Sequence, residues 1–240
     1  MCFLLSLRFF FFFTLKKTDF GDFSLYYPYP SFFKSISVQL FYSIRTHFVQ
    51  NEFTLINVGS FDTLVAVLYV SALLAAIFSI PVWVYEISAF VSPALTKREK
   101  RVIRLIALPS IFLFLLGVFF AYEVVLPALF KILYLLTVAL GVEPTMSVRT
   151  FVSIVIVYML ALGASFEIPM VMLALSYLRI VSYETWKRNW RWVVLICFFI
   201  ALLISPGATG GLMETVIGLT LSSLYLLGLL LVKLLVKTPA

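Results

Sequence analysis

Residues 63–85 read TLVAVLYVSALLAAIFSIPVWVY, 23 residues without a charge, interrupted only by Pro81. A helix of that length rises roughly 35 Å, enough to cross a hydrocarbon core of about 30 Å. This stretch decides the solvent, and with it the fold class. The apolar character continues past Glu86, so the span is placed at 63–93. Leu105–Tyr122, Phe151–Leu178 and Leu212–Val232 are further runs of spanning length. Trp192–Pro206 is apolar but short. Its core Val193–Ser205 covers about 20 Å as a helix, so either the bilayer is thin there or the helix extends back through Trp190–Trp192. Val124–Val142 is apolar but contains Pro127, Lys131 and Gly141, which reads as a re-entrant or interfacial cap.

Composition agrees. The chain is 63% hydrophobic and 12% charged, about half the charge of a soluble domain. The 240 residues accommodate five or six spans and short loops, with no separate soluble domain. The expected fold is an all-α polytopic membrane helical bundle. Residues 1–15, MCFLLSLRFFFFFTL, are too short for a comfortable span and no small-residue cleavage site follows. They read as a partial span whose beginning is missing. Phe33, Ile36, Leu40, Ile44 and Phe48 recur at helical spacing among polar residues, the pattern of an amphipathic helix lying on the membrane surface.

The net charge of +7 would suit nucleic acid, but its placement excludes that partner. Positions 97–104 hold five bases against Glu99, positions 179–191 four against Glu184, and Lys233 and Lys237 end the chain. The intervening loops 123–150 and 206–211 carry no net charge, and 16–60 little. Basic segments alternate with neutral ones, as the positive-inside rule requires. The basic loops and the C-terminus are therefore expected in the cytoplasm. Two cysteines, Cys2 and Cys197, and the single His47 build neither a metal site, a disulfide framework nor a bis-histidine haem site.

Polar groups inside spans are the candidate sites. Glu167 lies mid-span beside Pro169, with Gly163 one turn away. An acid there costs about 2.5–3.5 kcal/mol on insertion scales and marks a functional candidate; the alternative is a carboxyl that merely hydrogen-bonds a neighbouring span. Glu86 and Glu214 sit nearer the interfaces, where a structural reading is favoured. Pro81, Pro109 and Pro169 read as kinks. Glu99, on residue chemistry alone, is a solvated acid among bases, worth little. A proton- or ion-coupled secondary transporter using Glu167 is the alternative function, although the internal repeats such folds show are absent. An intramembrane protease lacks a base within the spans, since His47 lies outside them.

Four strings resemble one family. Phe90-Val-Ser-Pro93-Ala94-Leu95, followed by Glu99 and Lys100-Arg101, resembles the first cytoplasmic loop of TatC, the multispanning subunit of the twin-arginine protein translocase. Ser79-Ile-Pro81-Val82 is similar to its second-span proline motif. Phe120-Ala121-Tyr122 with Val124-Val125-Leu126-Pro127 is similar to the end of its third span, and Ser165-Phe166-Glu167-Ile168-Pro169 to its fourth-span motif. The match runs in order from about residue 60 to 235 and looks archaeal-like. The resemblance implies a six-span concave bundle with both ends inside, a cell-membrane location, and proton-motive-force-driven export without a cofactor. It implies binding of twin-arginine signal peptides of folded precursors, recruitment of single-span TatA-type subunits, and a homo-oligomer in the lipid bilayer. By position, Glu99 would receive the signal-peptide arginines, with Phe90, Pro93, Leu95 and Arg101 shaping that surface. Glu167 and Pro169 would contact a TatA-type partner, and Pro81 and Pro127 would be structural. Two departures stand out. The family's N-terminal segment with a second glutamate is missing, which reads as a truncated or mis-started N-terminus. The family's outer-turn acid is replaced by Ala208, with Glu214 a few residues on.

Overall fold

The computed structural model describes residues 13–20, 23–30, 35–48, 53–91, 97–205 and 210–236, with side chains outside 13–30, 84 and 87–107. Helices dominate: α1 (Ile36–Phe48), α2 (Asp62–Val91), α3 (Lys97–Phe120), α4 (Leu126–Ala139), α5 (Val148–Ser165), α6 (Ile168–Tyr177), α7 (Tyr183–Ile204) and α8 (Leu212–Leu235). Four helical stretches are long and apolar enough to cross a membrane among the described residues: 62–83, 108–139, 148–177 and 212–235. The chain divides into two compact units, 1–82 with 134–156 and 83–133 with 157–240.

In the first unit, α2 begins at a tight turn. The Gly59 N–H donates to Asp62 Oδ2 at 2.9 Å, and the Asp62 N–H donates back to the Gly59 carbonyl at 3.1 Å. An acid in the first turn also complements the helix dipole. The expected amphipathic helix is α1, with Ile44 and Phe48 buried. Phe48 meets Phe151 edge-on at 6.5 Å. The hydroxyls of Ser37 and Ser71 pair at 2.6 Å, both buried, and fasten α1 to α2. Strand β3 (Thr54–Ile56) pairs in parallel with β4 (Thr145–Ser147), Leu55 opposite Met146.

An antiparallel hairpin of β1 (Phe13–Phe20) and β2 (Phe23–Pro30) precedes α1, with Lys16 opposite Tyr27 and Lys17 opposite Tyr26. Gly21-Asp22 between two aromatic-rich runs is a two-residue hairpin signal in the sequence. Of the apolar stretch 1–15, only 13–15 is described, and it is extended in β1.

In the second unit, two sequence expectations are revised. Val124–Val142 does not form a separate cap: α3 passes through a π-helical turn, Ala121–Val125, directly into α4. The Leu126 N–H bonds the Ala121 carbonyl, five residues back. The extra residue in that turn shifts the helix just before Pro127, as a single-turn π-bulge inside an α-helix does. Likewise, the segment expected at 192–206 is the apolar half of a 22-residue helix, α7. Ser182 caps it, its side chain accepting from the Thr185 N–H. The longer alternative, extending back through Trp190–Trp192, is the one observed.

Helix α8 packs along both α6 and α7. Gly228 makes the first contact possible, since a Cβ there would lie 2.6 Å from Met172 Sδ and 3.0 Å from Pro169 Cα. Met172, Leu173, Tyr225 and Val232 form a buried cluster around which Trp186 and Val193 pack. The Tyr225 hydroxyl donates to the Trp186 carbonyl at 2.8 Å, and Trp186 Nε1 donates to Ser176 Oγ at 2.9 Å.

Candidate functional site

The span expected over 151–178 is present as one apolar stretch, 148–177, divided at Glu167 into α5 and α6. At the end of α5 the Glu167 N–H reaches back three residues to the Ala164 carbonyl at 3.2 Å, and α6 then restarts with the Val171 N–H on the Glu167 carbonyl at 2.9 Å. Pro169 sits at the start of α6, where its missing N–H costs least. The proline thus sets where the helix divides, and the division places Glu167 at a helix junction. Its side chain makes no capping bond.

Helix α3 supplies the other wall. Ser110, buried one residue after Pro109, donates its hydroxyl hydrogen bond to Glu167 Oε2. The second oxygen, Oε1, is buried with no hydrogen-bond partner among the described residues. Leaving such an atom unmet costs about 1–3 kcal/mol.

Two glycines bring these walls together. A Cβ at Gly163 would lie 2.9 Å from the Phe114 ring and from Val118. One at Gly117 would lie 2.8 Å from Phe166 and 2.9 Å from the Leu162 carbonyl. The Phe120 and Phe166 rings stack at a tilt, 5.7 Å between centroids. The acid therefore sits in a tightly packed apolar wall with one donor and one unmet acceptor. It can accept one further hydrogen bond, or hold a proton of its own.

The expected signal-peptide residues are placed only by the backbone. Phe90 is near the end of α2, while Glu99 and Arg101 are the third and fifth residues of α3. Pro93 and Leu95 lie outside the described residues. Pro81 is inside α2 without ending it, and Pro127 is the second residue of α4.

Ser110 is a site residue that the sequence does not point to, and Glu214 is more buried than expected. Ser110 has no local signature, because its role depends on a partner 57 residues away. Glu214, expected near the outer interface at small cost, is only 6% exposed and accepts a 2.7 Å hydrogen bond from Ser205 Oγ. Ser205 caps α7 and Glu214 is in the first turn of α8. This bond therefore ties the two ends of the α7–α8 connection.

The family model for the Sec-independent protein translocase protein (TatC) matches residues 1–217. A protein of Cenarchaeum symbiosum called Sec-independent protein translocase protein TatC is 33% identical over 206 residues, covering 86% of this chain and 78% of that one. The chloroplastic TATC of Pisum sativum is 34% identical over 168 residues, covering 70% and 47%. Among solved structures, the "Crystal Structure of Twin Arginine Translocase Receptor- TatC" superposes with a TM-score of 0.73 at 28% identity, covering 84% of this chain and 88% of that one.

Proposed function

The chain belongs to the TatC family of Sec-independent protein translocase proteins, a multi-pass membrane component of a translocase and not an enzyme; from that premise we propose that it is the receptor subunit that captures twin-arginine signal peptides and recruits a TatA-type subunit. Its basic loops and C-terminus face the cytoplasm, by the alternation of charge along the sequence. Glu99, with Arg101 and the neighbouring Phe90, Pro93 and Leu95, forms the surface that meets the signal peptide. A carboxylate suits paired guanidinium groups, which bind it through two parallel hydrogen bonds.

The observation that carries the second half of the proposal is the unmet oxygen of Glu167. Glu167 as a residue is only partly buried, so a small shift of its carboxyl toward the helix surface lets a donor from a single-span partner helix meet that oxygen. Replacing Glu99 with Lys tests the first half. Crosslinking of a twin-arginine signal peptide to the protein in membranes is expected to be lost, and undiminished crosslinking rejects that role. Replacing Glu167 with Ala is expected to leave peptide crosslinking intact while weakening association with a TatA-type subunit. If it abolished uptake of a small solute into liposomes, the protein would be a transporter instead.

A further inference from the structure

Helix α7 has two faces, and its rotation is fixed from one of them. Trp186 is held at both ends, its ring N–H by Ser176 and its carbonyl by Tyr225. Val193 packs on the same cluster, and Cys197 and Ala201 continue that side as buried residues. The opposite side is exposed along its whole length. Arg188, Trp192, Leu195, Phe199 and Leu202 recur at intervals of four, three, four and three, which is one stripe of an α-helix. All five are exposed, Trp192 at 69% and Leu195, Phe199 and Leu202 at about 60%. Lys187 and Arg191 are also exposed and flank the upper end of the stripe. Arg191 lies over the Trp190 ring at 5.7 Å. The only acid on α7 is Glu184, one turn before Arg188.

The stripe therefore changes along its length from cationic to aromatic to apolar. Ten residues separate Trp192 from Leu202, roughly 15 Å of helix rise, which is the acyl depth of one leaflet of a core about 30 Å thick. Tryptophan favours the headgroup level. With Trp192 there, the cations sit at the phosphate plane and the apolar residues run beside the chain region.

We propose that this face of α7 is a binding site for one anionic phospholipid, with its phosphate among Lys187, Arg188 and Arg191 and an acyl chain along Leu195, Phe199 and Leu202. A free phosphate would use only the cationic end and leave the apolar stripe without a role. A partner helix would cover the apolar end and leave the cations unmatched. A phospholipid matches both ends at the observed spacing. The site depends on the chain's membrane location and is independent of the roles proposed for Glu99 and Glu167.

Tryptophan quenching by brominated lipids tests it. The full chain carries four tryptophans, and Trp83→Phe leaves only Trp186, Trp190 and Trp192, all on α7. The protein is reconstituted in phosphatidylcholine vesicles doped with either dibrominated phosphatidylglycerol or dibrominated phosphatidylcholine. Half-maximal quenching is expected at a mole fraction of the anionic lipid at least roughly tenfold lower, a floor that two of the three cations already exceed at about a factor of five each. The K187Q/R188Q/R191Q variant is expected to lose that preference, and R188Q alone to halve it or more; Lys233→Gln, at the end of α8, is expected to keep it. Equal quenching by the two lipids in the parent protein overturns the proposal without any variant. So does a preference that survives the triple substitution, quenching by neither lipid (the stripe is then covered by protein), or displacement of the anionic lipid by millimolar inorganic phosphate, which would mark a free-phosphate site.

Discussion

The second unit draws two carboxyl groups inward, and they are treated oppositely. Glu214 is tied across the α7–α8 connection by Ser205, both residues being buried and close in sequence. Glu167 is held by Ser110 from a helix far away in sequence, and its other oxygen has no hydrogen-bond partner among the described residues. The first arrangement closes a turn. The second leaves a cost of about 1–3 kcal/mol in place, in a wall whose close packing depends on the glycines at 117 and 163. Glu214 is therefore assigned to stability, while Glu167 is the residue proposed for recognition.

The largest expected effect on stability is at Glu214. Glu214→Ala removes the carboxylate acceptor of the buried Ser205 hydroxyl and loosens the helix connection, and should cost about 2 kcal/mol, read as a lower unfolding midpoint in detergent. Ser205→Ala removes the same bond from the other side and should cost about 1 kcal/mol. Glu167→Gln should change stability least, by under about 0.5 kcal/mol. The amide still accepts from Ser110, and the expense of a buried ionisable group is removed. If Glu167→Gln proved as destabilising as Glu214→Ala, the contrast between the two acids would fail.

The sequence disclosed the membrane architecture because hydropathy integrates over some twenty residues and tolerates local error. It also disclosed Glu167 with Pro169, since an acid and a proline are conspicuous in an apolar run. Ser110 and the glycine contacts at 117 and 163 depend on which helices are neighbours, and nothing local encodes that. Pro127 misled for a physical reason: a proline stops a regular helix, but the π turn at Ala121–Val125 lets α3 run on into α4. The burial of Glu214 was hidden because a residue near a span end can face either lipid headgroups or a neighbouring helix. The length of α7 was obscured by its basic and aromatic first half, which reads as loop by composition yet is helical from Tyr183.

The most direct test of the role given to Glu167 measures two bindings on one preparation. Protein carrying Glu167→Ala is reconstituted in liposomes with a fluorescently labelled TatA-type subunit and a labelled twin-arginine signal peptide. Energy transfer to the subunit is predicted to require roughly tenfold more partner than with the parent protein, the equivalent of one lost buried hydrogen bond, while peptide binding is unchanged. Unaltered transfer to the subunit, or equal loss of both bindings, would contradict it.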